Sequence, residues 1–264
     1  MRKGMVKTDE EIAMIGRGGR LLSRVLGKVA ARVKPGVSTA ELDDLAEKEI
    51  LKAGGATAFK GYRIYGVKQA YNSTVCTSVN DEVVHGLAHP GRVLKEGDII
   101  GLDIGMKYPA VGGYFTDMAM TVPVGEVSKV AARLMKVTRE CLERAISTVH
   151  AGARLSDIGR AVQTHAEANG YGVVRDLVGH GVGYEVHEEP RVPNYVDHDY
   201  PDTILKKGMV IAIEPMINAG TWRVKTLEDG WTVKTADGSL SAHFENTIAV
   251  TDDACEILTP FPTL

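Results

Sequence analysis

Leu94–Asp103 reads LKEGDIIGLD and Leu205–Glu214 reads LKKGMVIAIE. Four of the ten paired positions are identical and four more are conservative, and each run closes on a carboxylate, Asp103 in one and Glu214 in the other. Further on, YFTDMAMTV carries Asp117 and HFENTIAV carries Glu245, again an acid inside apolar, strand-like sequence. Upstream, Val33–Gly55 lies on Val149–Tyr171 without a gap, so that Gly36 meets Gly152, Leu42 meets Ile158, Ala46 meets Val162 and Gly54 meets Gly170. Two amphipathic helices of equal length align this well by chance. Order carries more weight: each half runs helix, helix, apolar strand ending in an acid, then a second acidic strand. The chain therefore reads as a duplication, a single domain over 1–264 built from halves of about 1–125 and 126–264.

Local signals give the elements. Thr8 and Glu11 form a capping-box pattern ahead of Ile12, Ile15, Leu22, Val25, Leu26 and Val29, which recur at helical spacing up to Pro35. Ser38 and Glu41 repeat the pattern before Leu42, Leu45 and Ile50, and Gly54-Gly55 stops that helix. Two more helices are predicted from about Ser128 to Val149 and from Ser156 to Asn169. Tyr62 to Ser78 reads as loop plus a short strand. The C-terminal third is strand-like, with tight turns at Asp229-Gly230 and Asp237-Gly238, the second predicted as a hairpin between Trp231–Thr235 and Leu240–Glu245. The fold class is α+β, four helices backing a mostly antiparallel sheet.

Composition narrows the function. Of 264 residues 44% are hydrophobic and 25% charged, the balance of a globular protein with a sizeable core. A net charge of -3 and a pI near 6.3 argue against a nucleic-acid or anionic-membrane role. Three unpaired-looking cysteines (Cys76, Cys141, Cys255) fit a reducing compartment, and the polar start MRKGMVKTDEE has no apolar leader. A cytoplasmic, non-membrane monomer is expected.

The acids and histidines then point to chemistry. An acid at a strand end is most often solvated, and for any one of these four that is the better account. Recurrence at equivalent places in both halves reverses it, because carboxylates on apolar strands are costly to bury unless a cation neutralises them. Asp103 and Asp117 stand fourteen apart across the Gly105–Gly113 connection, an even spacing that can put both on one sheet face. His180 and His187, in the run GHGVGYEVHEEP, lie among glycines that allow close backbone approach, and His180 is a nitrogen donor to join the carboxylates. Such a set suits two divalent ions of Mn, Fe(II), Co or Zn, with a bridging hydroxide as nucleophile.

Six strings in order, LDIG (102–105), FTDMAMT (115–121), GHGVGYEVHEEP (179–190), AIEPM (212–216), GWTVKT (230–235) and LSAHFENT (240–247), resemble the type I methionine aminopeptidases of metallopeptidase family M24 over essentially the whole chain. That resemblance implies the duplicated pita-bread fold and removal of the initiator methionine from nascent peptides, near the ribosome. It implies a dinuclear centre in which Asp117 and Glu245 bridge, His180 and Glu214 hold one ion and Asp103 chelates the other, the ion that would also take the substrate's α-amino group. His187 would stabilise the tetrahedral intermediate, His85 would lie near the leaving nitrogen, and Glu214 would shuttle the proton. The implied methionine pocket comprises Phe59, Tyr62, Cys76, Met216 and Trp231, with Tyr65 as a further candidate; Cys76 and Met216 are equally readable as core.

His243 shares strand parity with Glu245 and is expected to face the same cavity, though a core role fits it as well. Val186, where relatives often carry an aromatic, and a long Arg63–Ser73 connection are the departures, and both predict a widened or rebuilt pocket rim. Two other readings stay open: a proline-directed peptidase of the same superfamily, for which the chain is short, and a binding paralogue, which would be expected to lose ligands.

Overall fold

Each helix begins where the sequence caps it. The computed structural model describes residues 5–263, so the first residues of the polar N-terminal stretch, 1–4, lie outside it. Helix α1 (Asp9–Ala30) opens on Thr8, whose hydroxyl accepts the Glu11 amide while the Glu11 carboxylate accepts the Thr8 amide at 2.8 Å. Helix α2 (Thr39–Lys52) repeats that reciprocal cap with Ser38 and Glu41. Helix α3 (Lys129–Ser147) is capped by Ser128, and α4 (Leu155–Ala168) by the Asp157 carboxylate on the Arg154 amide and by Asp202 on the Ser156 amide. The four helices fall where periodicity put them, except that α1 stops at Ala30, five residues short of Pro35.

The strands are β1 (Ala56–Thr57), β2 (Val75–Val79), β3 (Glu82–Val84), β4 (Ile99–Tyr108), β5 (Tyr114–Pro123), β6 (Gly172–Val173), β7 (Gly179–Gly181), β8 (Glu188–Val192), β9 (Val210–Ile213), β10 (Met216–Asn218), β11 (Val224–Thr226), β12 (Val233–Thr235), β13 (Ser241–His243), β14 (Glu245–Val250) and β15 (Cys255–Ile257). The main sheet runs β1-β4-β5-β14-β9-β7-β8, with β2 also on β4 and β15 on β14. Outward from the β5/β14 seam, one side reads β5-β4-β2 and the other β14-β9-β7. The quoted runs end in β4 and just past β9, so the sequence repeat appears as a palindrome in strand order. All of these pairs are antiparallel.

One continuous core joins helices to sheet. Leu22, Leu26, Leu42 and Ile50 from α1 and α2 meet Ile100, Leu102 and Ile104 of β4, and Leu134, Leu142, Ile158 and Val162 of α3 and α4 meet Ile211, Ile213 and Ile248. Helix α1 approaches the chain's end so closely that a Cβ on Gly19 would stand 2.2 Å from the Leu258 carbonyl oxygen. Gly19→Ala should therefore destabilise the protein by about 1–3 kcal/mol, against the gain of about 1 kcal/mol that helix propensity gives alanine. A melting temperature equal to or above the parent's would refute that packing argument. Among the described residues no helix is long and apolar enough to cross a membrane.

The hairpin expected at Asp237-Gly238 is not formed; it sits at Asp229-Gly230. There the Asp229 carboxylate accepts the amides of Trp231 and Thr232 at 2.8 Å each, and β11 pairs β12 with Val224 opposite Thr235. At the second turn Asp237 accepts from the amides of Thr221 and Ser239. The flanking amides of Thr235 and Ser241 donate to Asp81 and Asn80 carbonyls at 2.9 Å each, so β12 continues onto β3 while β13 continues onto β10. Turn chemistry marked both reversals correctly; tertiary partners decided which one became a hairpin.

Candidate active site

Register alone brings the acids together. Asp103 on β4 stands between Cys76 on β2 and Ala119 on β5, and Ala119 in turn faces Glu245, the first residue of β14. Asp117 lies opposite Gly105, two residues along from Asp103, so the even spacing puts both on one face. His180 on β7 pairs with Ala212, and Glu214 follows the end of β9, where Asn194 Nδ2 donates to its carbonyl at 3.0 Å. Glu214 reaches back between two imidazoles, with His180 Nε2 3.4 Å from Oε1 and His243 Nε2 3.7 Å from Oε2.

Ligand-type atoms of Asp117, His180 and Glu245 all lie within 4.8 Å of one another. Oδ1 of Asp103, Oδ1 of Asp117 and Oε1 of Glu245 are buried with no hydrogen-bond partner. A buried carboxylate oxygen without a donor is costly, and several facing one another more so. Burial pushes the Asp103 carboxyl up to about 7. It pushes Asp117, Glu214 and Glu245 well above the carboxylate range, and mutual repulsion adds to it: Asp103 and Glu214 act on Asp117, Asp103 on Glu214, and Asp117, Glu214 and Asp103 on Glu245. Burial also holds His180 neutral, its pKa lowered to about 3, and its Nδ1 lies 3.0 Å from the Gly181 carbonyl oxygen. An Nδ1–H donated to that carbonyl leaves Nε2 with its lone pair toward the acids, the tautomer a metal ligand requires. Unpaired inward oxygens and a neutral imidazole make this donor set fit divalent cations.

Above the acids lies a cavity of about 270 Å³. Phe59, Tyr62, Ile64, Tyr71, Cys76 and Trp231 wall it, and His85 and His187 border it. His187 is open to the cavity mouth, yet the packing around its ring lowers its pKa; its Nδ1 sits 2.8 Å from the Tyr62 hydroxyl and its ring edges onto His180 with centroids 4.4 Å apart. His85 holds a left-handed backbone (φ 58°), and burial lowers its pKa to about 4.

One expectation is corrected here, at Tyr65, and two positions left open, Met216 and His243, take their core reading. Tyr65 is fully exposed, and Tyr71 takes the place on the wall, its ring edge-to-face with Trp231 at 5.3 Å and its hydroxyl on the Gly86 carbonyl at 3.0 Å. The Gly61 and Tyr71 amides close a neck on Tyr71 and Tyr62 carbonyls at 2.8 Å each, so the long connection is extruded and carries Tyr65 outward. Met216 is fully buried among Val83, Val84, Val174 and Val233 and touches only the adjoining cavity, because β10 leaves the main sheet to pair with β13. His243, 3% exposed, stands behind Glu214 rather than on the cavity wall. Val186 is buried in the apolar cluster of Phe59, Tyr71, Cys76 and Trp231.

Comparison with known proteins identifies the lineage. Residues 13–252 match the metallopeptidase family M24. The chain belongs to that family. Within it, the chain is 46% identical to a methionine aminopeptidase of Clostridium acetobutylicum over 97% of this chain and 98% of that protein, and 46% identical to methionine aminopeptidase 1 of Bacillus subtilis over 96% and 98%. The crystal structure of the Thermotoga maritima methionine aminopeptidase superposes with a TM-score of 0.89 at 42% identity, covering 96% of this chain and 98% of that one. The family's curved sheet with four flanking helices is the architecture described above.

Proposed function

We propose that this protein is a methionine aminopeptidase that removes the N-terminal methionine of nascent chains, as one catalytic unit acting as a monomer in the cytoplasm near the ribosome. The observation that carries the proposal is that one cavity has Asp103, Asp117, His180, Glu214 and Glu245 at its floor and Phe59, Tyr62, Tyr71, Cys76 and Trp231 along its walls. Those five residues would hold two divalent ions, of Co, Mn, Fe(II) or Zn. When bound, such ions supply Lewis acidity at a carbonyl and lower the pKa of water toward neutrality.

The protein groups account for the rest. Phe59, Tyr62, Tyr71, Cys76 and Trp231 exclude water from the side chain of the terminal residue. The Tyr62 hydroxyl engages His187 at Nδ1, which leaves Nε2 to meet charge developing on the scissile carbonyl. His85, neutral and bordering the same space, would stand near the leaving nitrogen. Glu214, set between His180 and His243, is the carboxyl able to hold a proton and pass it to that nitrogen. Ligands drawn from both halves of the chain make each half inactive alone.

A peptide assay tests the proposal. With Mn(II), methionine is expected from Met-Ala-Ser, and an Ala-Ala-Ser analogue should be cleaved about 100-fold less efficiently, since burying the longer side chain is worth about 2–3 kcal/mol. Release from Ala-Pro instead would assign the chain to proline-directed peptidases, and no metal-dependent release from any peptide would leave a binding paralogue.

A further inference from the structure

His187 sits on a turn fastened from the opposite end of the chain. Lys7, its side chain 1% exposed, places Nζ 2.5 Å from Oε2 of Glu188, the residue after His187. The second oxygen of Glu188, Oε1, accepts the amides of Tyr184 and Glu185 at 2.5 and 2.8 Å, closing the turn on itself. Further ties run to the same N-terminal segment. The Tyr184 hydroxyl donates to Glu11 Oε1 at 2.8 Å, Lys7 Nζ stands 4.8 Å from the Tyr184 ring centre, and the Lys7 amide donates to the Gly208 carbonyl at 2.7 Å. Gly183 (φ 143°) lets the turn settle on the lysine, for a Cβ there would meet Lys7 Cε at 2.8 Å.

A buried ion pair is weak evidence of net stability, because desolvation offsets most of its attraction; here the lysine and two backbone amides together hold one carboxylate from both oxygens. We propose that Lys7 is a positioning residue for His187: through the Glu188 clamp it sets where the imidazole stands relative to the cavity. This rests on the role given to His187 above. Nothing in the sequence run around Lys7 marks it, since the contact spans 181 positions.

The test is a double-mutant cycle on the full-length, manganese-loaded protein with Met-Ala-Ser. Lys7→Met should lower kcat about 10- to 100-fold with KM within about threefold, the cost of a displaced catalytic group, and bound manganese should be unchanged. In a His187→Ala background the same substitution should change kcat by less than about twofold, because residues acting as one unit are not additive. An equal loss in both backgrounds, or no loss in either, overturns the inference while leaving His187's role intact. A His187→Ala protein of parental kcat would remove that role and the inference with it. Should Lys7→Met fail to fold, Glu188→Gln enters the same cycle, where non-additivity with His187→Ala supports the inference and simple multiplication of effects refutes it.

Discussion

Glu245→Gln should lose at least about 10³-fold in kcat/KM and should bind less than its full complement of manganese, while its metal-free form melts higher than the metal-free parent. The two halves of that result have one cause. Glu245 is 2% exposed and its Oε1 has no hydrogen-bond donor, while Asp117, Glu214 and Asp103 repel it. Replacing it with a neutral amide of the same shape relieves that repulsion and removes a ligand. Adding manganese to the parent should raise its melting temperature markedly, because an ion that binds only the folded state stabilises by mass action; in Glu245→Gln the rise should shrink. Chelation of the parent should likewise abolish turnover reversibly. Full activity in Glu245→Gln with stoichiometric metal would show that the cage works without that carboxylate.

The second large effect is expected at His187. His187→Ala should lower kcat about 10²- to 10³-fold, the usual cost of removing a preorganised donor aimed at developing negative charge, while metal content and KM stay near parental values. Tyr62→Phe should lose only about 3- to 10-fold, since it deletes the hydroxyl at Nδ1 and leaves the imidazole in place. Kinetics on Met-Ala-Ser beside metal analysis of each variant separate these outcomes. A His187→Ala protein that loses manganese in step with activity would reassign the residue from the substrate to the metal cage.

Much of this could be read from the residues. Helix starts at Thr8 and Ser38 were legible because a capping box is local, and the acids of β4 and β5 because strand parity is a count of residues. What escaped the sequence is what long-range pairing decides. Tyr71 forms part of the neck closed by residues 61, 62 and 71 whereas Tyr65 lies in the loop beyond it, and no alternation pattern locates that neck. Asp237-Gly238 has the same composition as Asp229-Gly230, yet partners at Asn80 and Asp81 send its flanks to different sheets. Met216 belongs to the recognised AIEPM run, but whether it lines the cavity or the core depends on β10 leaving the main sheet. The tether from Lys7 to Glu188 had no signal at all.

The palindromic strand order has a chemical corollary. Gly101 in the first repeat corresponds to Ala212 in the second, so the residue paired with Gly101, Ser78, occupies the station that His180 holds opposite Ala212. The imidazole of one flank thus has no counterpart on the other, for the Ser78 hydroxyl accepts the Gly86 amide at 3.2 Å. Two cations lodged across the seam would experience unlike donors, and calorimetric titration should resolve a tighter and a looser equivalent in place of two indistinguishable ones.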